Sequence, residues 1–185
     1  VAGIATFNDL SIDQFGTGYT LRTFSTGLVS DTSSAFNITV GAATKLGFVQ
    51  QPTQTAGGAA ITPTITVEVQ DAGGNRVTTA SNAIGIAILN NPSGGTLSGD
   101  NNNPAGSGLA TFGGLNIDFA GNGYTLRATA TGLTGVTSNG FNIVVGAPAK
   151  LAFLQPPTSA TAGVAISPAI TVRVLDAGNN LVPTA

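Results

Sequence analysis

Residues 5–41 recur almost unchanged as residues 110–146. Ala5-Thr6-Phe7 returns as Ala110-Thr111-Phe112, and Gly18-Tyr19-Thr20-Leu21-Arg22 as Gly123-Tyr124-Thr125-Leu126-Arg127, a separation of 105 residues. The same offset carries Lys45-Leu46 onto Lys150-Leu151, Thr66-Val67 onto Thr171-Val172 and Asp71-Ala72-Gly73 onto Asp176-Ala177-Gly178 without a gap. A period of this length is a folding unit in its own right. Arrays of such units act as extenders or scaffolds more often than as single catalytic centres.

The 185 residues are out of register with this period. The sequence predicts one complete unit over residues 45–149, preceded in 1–44 by the C-terminal half of an earlier unit and followed in 150–185 by the N-terminal half of a later one. A block of 105 residues can bury one ordinary core, and the apolar fraction of 42% fills it without a staple. With no Cys, there are no disulfides or thiolate metal sites, and with no His, Trp or Met the chemical repertoire is narrow.

Six basic and eight acidic residues give a formal net charge of −2. The cations Arg22, Lys45, Arg76, Arg127, Lys150 and Arg173 are scattered, so no basic stripe exists to displace counterions from nucleic acid. The longest strongly apolar run, Ala83 to Leu89, falls far short of the roughly 20 residues of a membrane-spanning helix. No basic start followed by an apolar core marks an export signal within the sequence.

Short runs of Val, Ile, Thr, Phe and Tyr alternate with polar residues and are broken by Gly, Asn, Asp and Pro about every ten residues; this is a strand pattern, and nothing reads as a helix. In the complete unit it predicts strands near Lys45–Gln50, Ile65–Gln70, Ala83–Leu89, Thr96–Ser98, Leu109–Phe112, Gly123–Thr131 and Gly140–Val145. About seven strands suit an antiparallel sandwich. Comparison of the copies assigns the faces: Ile65, Val67 and Val69 stay aliphatic as Ile170, Val172 and Val174, whereas Glu68 becomes Arg173 and is expected to face water. By the same alternation Tyr124, Leu126, Ala128 and Ala130 point inward, as do Phe141, Ile143 and Val145.

The stretch Asp118-Phe119-Ala120-Gly121-Asn122-Gly123-Tyr124-Thr125-Leu126, repeated in form over Asp13–Leu21, looks like the tyrosine corner of immunoglobulin-like sandwiches, with Leu126 in the place of a disulfide cysteine. Together with the opening Lys45-Leu46-Gly47-Phe48, the strand and turn from Thr66 to Asn75 and the hairpin strand Gly108-Leu109-Ala110-Thr111-Phe112, it makes the unit resemble bacterial immunoglobulin-like repeats of the invasin and intimin kind and of large surface adhesins. The resemblance covers the whole chain and implies an all-β, tandem immunoglobulin-like architecture and an extracellular, rod-forming, non-enzymatic role. The joins Val40-Gly41-Ala42-Ala43-Thr44-Lys45 and Val145-Gly146-Ala147-Pro148-Ala149-Lys150 are too short for free linkers, which predicts a semi-rigid rod.

The search for chemistry ends in turns. Asp71-Ala72-Gly73-Gly74-Asn75 and its copy Asp176-Ala177-Gly178-Asn179-Asn180 offer one carboxylate where calcium wants six to eight oxygens, so a capped tight turn is the favoured reading. Asp100-Asn101-Asn102-Asn103-Pro104 is read as a solvated loop. Gly121-Asn122-Gly123 and Gly16-Thr17-Gly18 lack the third glycine and the helix of a phosphate cradle. Asp13 and Asp118 are read as hydrogen-bonding partners at the corner, and a Lys45–Asn142 cross-link is disfavoured because alternation turns Asn142 outward. No catalytic, cofactor-binding or metal-ligating residue is assigned, and no cofactor is expected.

Each half-unit exposes apolar side chains and free strand edges that call for a complement. The leading expectation is a non-enzymatic structural repeat of an extracellular or cell-surface bacterial protein, a stalk, adhesin or fibre scaffold. Its partners would be neighbouring repeats of one long chain or, as a second case, identical chains docking half to half into an open filament. The alternative is a carbohydrate-binding or spacer module attached to a secreted enzyme, against whose sugar-binding version the shortage of exposed aromatics counts. Only Phe24 and Phe119 qualify, and Phe24 becomes Thr129 in the other copy.

Overall fold

The computed structural model describes residues 3–183, and among these every regular element is a β-strand. Between Lys45 and Val144 the strands form two main sheets. The larger is six-stranded and runs in the order Asn102–Pro104, Ala83–Asn90, Gly121–Thr129, Phe141–Val144, Thr55–Ala56, with Val136–Thr137 also pairing to Gly121–Thr129. The smaller runs Leu109–Phe112, Ile65–Gln70, Lys45–Gln50. All strand pairs are antiparallel except Thr55–Ala56 on Phe141–Val144. One edge is tied across by Leu46, whose N–H donates to the Thr134 carbonyl at 2.9 Å, while the Thr134 N–H donates to Thr44 at 2.9 Å. The chain is therefore an all-β antiparallel sandwich.

Period-two alternation builds the core. Ile65, Val67 and Val69 from the smaller sheet face Ile84, Ile86, Leu126, Ala128 and Ile143 from the larger, and Phe112, Leu115 and Ile117 complete the same cluster. Tyr124 is fully buried and its hydroxyl donates to the Phe119 carbonyl at 2.8 Å, five residues upstream; Tyr19 repeats the bond to Gln14 at 3.1 Å. These are the tyrosine corners that the sequence predicts.

Four differences have local causes. Glu68 is half-buried rather than solvated, because Arg76 reaches back and its Nε donates to the carboxylate at 2.8 Å. Val145 is exposed, since the last strand ends at Val144 and the chain turns toward the following unit. Asn102–Pro104, expected as a loop, pairs with Ala83–Gly85, where a terminal proline is tolerated on an edge strand. Thr55–Ala56 and Val136–Thr137 are two-residue pairings too short to carry a periodic signal.

Candidate functional site at the joint between units

The turn Asp71–Asn75 closes on itself and then onto the preceding unit. Asp71 Oδ1 accepts the Asn75 backbone N–H at 2.9 Å, the Asn75 amide nitrogen lies 3.1 and 3.0 Å from the two carboxylate oxygens, and the Asp71 N–H donates to the Asn75 carbonyl at 2.9 Å. Locked this way, the Asn75 side chain points away from its own sandwich. Its Nδ2 donates to the Asp13 carbonyl at 2.7 Å, and its Oδ1 accepts the Phe15 N–H at 3.2 Å. Asp71 Oδ2 accepts the Gly41 N–H at 2.8 Å, and Lys45 Nζ donates to the Ala72 carbonyl at 3.0 Å. One loop thus grips both the corner of the earlier unit and the join that leads out of it.

The copy makes the same contacts 105 residues on. Asn180 Nδ2 donates to the Asp118 carbonyl at 2.8 Å and its Oδ1 accepts the Ala120 N–H at 2.8 Å. Asp176 accepts the Gly146 N–H at 2.8 Å and the Asn180 N–H at 2.8 Å, and Lys150 Nζ reaches Ala177 O at 3.3 Å. Asn179, with φ 73, stands where Gly74, with φ 89, stands in the first loop; Asn tolerates this left-handed conformation better than most residues. At Gly73 and Gly178 the approach is so close that a Cβ would overlap the carbonyl oxygens of Asp13 and Asp118 respectively.

Asp71, Asn75 and Asp176 are all buried, at 4%, 5% and 0% exposure. A buried carboxylate is costly unless its lone pairs are filled, and N–H donors fill them here. The Gly41 N–H, the Asn75 amide and the Asn75 N–H hold the Asp71 carboxyl at about 2, below the ordinary 3.8. At Asp176 burial pushes upward, but the N–H groups of Gly146 and Asn180 outweigh it and the carboxyl is held below its usual range. Both loops therefore carry an ionised acid whose oxygens face N–H groups, an arrangement that organises backbone rather than a cation shell. Among the described residues no group of three or more acids gathers in one place.

The remaining candidates disperse. Asp118 Oδ1 accepts the N–H groups of Thr96 at 2.6 Å and Phe119 at 2.9 Å, so its side chain does serve the corner, while its carbonyl serves the joint. Asn142 Oδ1 accepts the Gly123 N–H at 3.0 Å, and Asn37 does the same for Gly18 at 3.1 Å. Lys45 and Asn142 thus have separate partners. Phe24 is 86% exposed and Phe119 is 38% exposed, but contrary to expectation they are not alone: Phe7, Phe15 and Phe153, all in the partial copies of the unit, are 67%, 59% and 60% exposed. The sequence reading recognised the Asp–Asn turn but missed its partner in the neighbouring unit. The available signal was that both copies keep Asp and Asn at the first and fifth positions while the fourth changes from Gly to Asn, more constancy than a solvated turn requires.

No protein-family model and no curated protein matches the chain. Among solved structures it is similar to a β-glycosidase from Bacteroides vulgatus (17% identity, TM-score 0.45, covering 69% of this chain and 17% of that one). It is also similar to a glycosyl hydrolase family 2 member from Bacteroides cellulosilyticus (15% identity, TM-score 0.44, covering 68% and 17%). A third is the β-glucuronidase of Parabacteroides merdae (17% identity, TM-score 0.39, covering 59% and 13%). This chain corresponds to 13–17% of the length of those proteins, and so loose a likeness says nothing of activity.

Proposed function

We propose that this chain is a spacer: a non-enzymatic tandem β-sandwich segment of a longer extracellular polypeptide, whose task is to hold successive units at a fixed distance and orientation. The observation that carries this reading is the joint made twice, with the same donors and acceptors 105 residues apart. A flexible tether has no use for a buried, ionised, fully hydrogen-bonded turn at each junction, whereas a strut does.

Two settings suit such a strut. One is the stalk of a bacterial surface protein of the invasin, intimin or adhesin kind, assembling through its neighbouring repeats. The other is a spacer within a secreted enzyme, a setting that the similar glycosidases keep in view without arguing for it. A sugar-binding platform fits less well, because the most exposed aromatic, Phe24, has Thr129 as its counterpart.

Residual dipolar couplings measured on the chain test the strut directly. One common alignment frame is expected for residues 13–41 and 45–144, and its loss on Asn75→Ala. Independent frames in the unaltered chain would refute the reading.

A further inference from the structure

The sequence holds two asparagine–glycine pairs, Asn122-Gly123 and Asn139-Gly140, and the fold treats them oppositely. Such a pair can convert itself. The backbone nitrogen after Asn attacks the side-chain Cγ, ammonia leaves and a five-membered imide forms, and a following glycine, with no Cβ in the way, lets that nitrogen approach. Water then opens the ring at either carbonyl, giving aspartate or a β-linked isoaspartate whose main chain is one carbon longer. A nitrogen committed to a hydrogen bond within the fold is withdrawn from this attack.

At Asn122 the nitrogen is committed. The Gly123 N–H donates to Asn142 Oδ1 at 3.0 Å and the Gly123 carbonyl accepts Asn90 Nδ2 at 2.7 Å, both within the strand Gly121–Thr129. At Asn139 it is free. Asn139 and Gly140 are exposed and lie in no strand, and Asn139 engages only its main chain: its N–H donates to Gln51 Oε1 at 3.0 Å and its carbonyl accepts the Ser138 hydroxyl at 2.8 Å. Among the described residues nothing bonds the Asn139 side chain or the Gly140 N–H, and a Cβ at Gly140 would meet nothing within 4 Å.

The turn itself does not require the pair. Its copy 105 residues earlier reads Ser33-Ser34-Ala35 in place of Ser138-Asn139-Gly140. The Ser33 N–H donates to the Leu21 carbonyl at 2.8 Å and Ser33 Oγ accepts the Leu21 N–H at 2.9 Å, as Ser138 does with Leu126 at 2.8 and 2.9 Å. Gly140 also lies outside the left-handed region, so its backbone does not call for glycine.

We propose that Asn139-Gly140 is a self-modification site, cyclising and hydrolysing to aspartate and isoaspartate, while Asn142 keeps Asn122 an amide. Water is the only co-reactant and ammonia the only leaving group. The inference stands apart from the spacer reading. Its structural consequence falls on the strand that follows: Phe141 is 5% exposed with its ring 6.2 Å from that of Tyr124, and Ile143 and Val144 pair with Thr55 and Ala56. Isoaspartate at 139 lengthens the main chain between two fixed points, Ser138 and Phe141, and so loosens that strand. Aspartate adds only a negative charge.

Ageing the full chain in warm, mildly alkaline buffer tests the site, with peptide mapping by mass spectrometry for conversion of amide to acid and enzymatic methylation for the isoaspartate. Asn139 should convert roughly tenfold or more faster than Asn122, a barrier difference of about 1.4 kcal/mol or more, and Gly140→Ala should slow it by a similar factor. Asn142→Ala should raise the Asn122 rate toward that of Asn139, whereas Asn142→Asp, which keeps an acceptor for the Gly123 N–H, should leave Asn122 slow. Equal rates at the two pairs, conversion of Asn122 ahead of Asn139, or an Asn139 that stays an amide throughout would overturn the proposal. An Asn122 rate indifferent to Asn142→Ala would overturn the protective role of Asn142.

Discussion

Phe112 and Phe7 occupy the same place in the repeat, yet Phe112 is 1% exposed and Phe7 is 67% exposed. Leu126 and Leu21, and Val67 and Val172, show the same contrast between the middle unit and its partial copies. What survives in the partial copies is instructive. The strands Gly16–Tyr19 and Phe36–Ile38 still pair, Tyr19 still reaches back to Gln14, and the Tyr19 and Phe36 rings lie 6.1 Å apart, against 6.2 Å for Tyr124 and Phe141. Turns, corners and hairpins are locally specified, whereas burial comes from bringing together the first and second halves of a unit, which lie far apart along the chain. The joint belongs to the locally specified class on one side and to the long-range class on the other.

The contrast breaks most visibly at its aromatic anchor. Phe112→Ala should destabilise the chain by about 3–5 kcal/mol in denaturant unfolding, through lost burial and the void left behind, while Phe7→Ala should change it by less than about 0.5 kcal/mol. Comparable losses at the two positions would mean that the N-terminal segment has a core of its own. A smaller effect is expected at the corner: Tyr124→Phe leaves the Phe119 carbonyl without its donor and should cost about 1–2 kcal/mol, with a lesser cost for Tyr19→Phe at its exposed counterpart.

The joint should respond in dynamics more than in stability. Asn180→Ala removes the bonds to Asp118 and Ala120 and should accelerate hydrogen exchange at the Ala120 amide, leaving the unfolding midpoint of the 45–144 core almost unchanged. A cooperative loss of the core would show that the joint is part of the folding unit. The smallest effect is that of pH. Because the Asp71 carboxyl is held at about 2, below its ordinary 3.8, its contribution to the joint is complete above the ordinary value and disappears as pH falls through about 2. Dipolar couplings followed from pH 5 downward should show the units uncoupling only in that acid window, and Asp71→Asn should uncouple them at neutral pH.

Most of the architecture is legible in the sequence because an antiparallel sandwich writes itself in alternation. Lys45–Gln50, Ile65–Gln70 and Leu109–Phe112 are found where periodicity puts them, and the corner is found from the spacing of Asp118, Tyr124 and Leu126. The two-residue strands escape, since their pairing is set by neighbours and not by any period of their own. The joint was half legible: the Asp–Asn turn could be seen, but its target is the backbone of residues about 60 positions away, and a carbonyl leaves no mark in a sequence. Glu68 misled because substitution by Arg173 between copies reads as solvent exposure, although Arg76 partners the carboxylate in the middle unit.

On the receiving side of each joint the contacts to Asn75 and Asn180 are made entirely by main chain, through Asp13 O and Phe15 N in one case and Asp118 O and Ala120 N in the other. Phe and Ala therefore serve equally well at the same spot. Under the spacer function proposed above, gene duplication or deletion of whole modules would lengthen or shorten the protein without matched changes in the receiving corner.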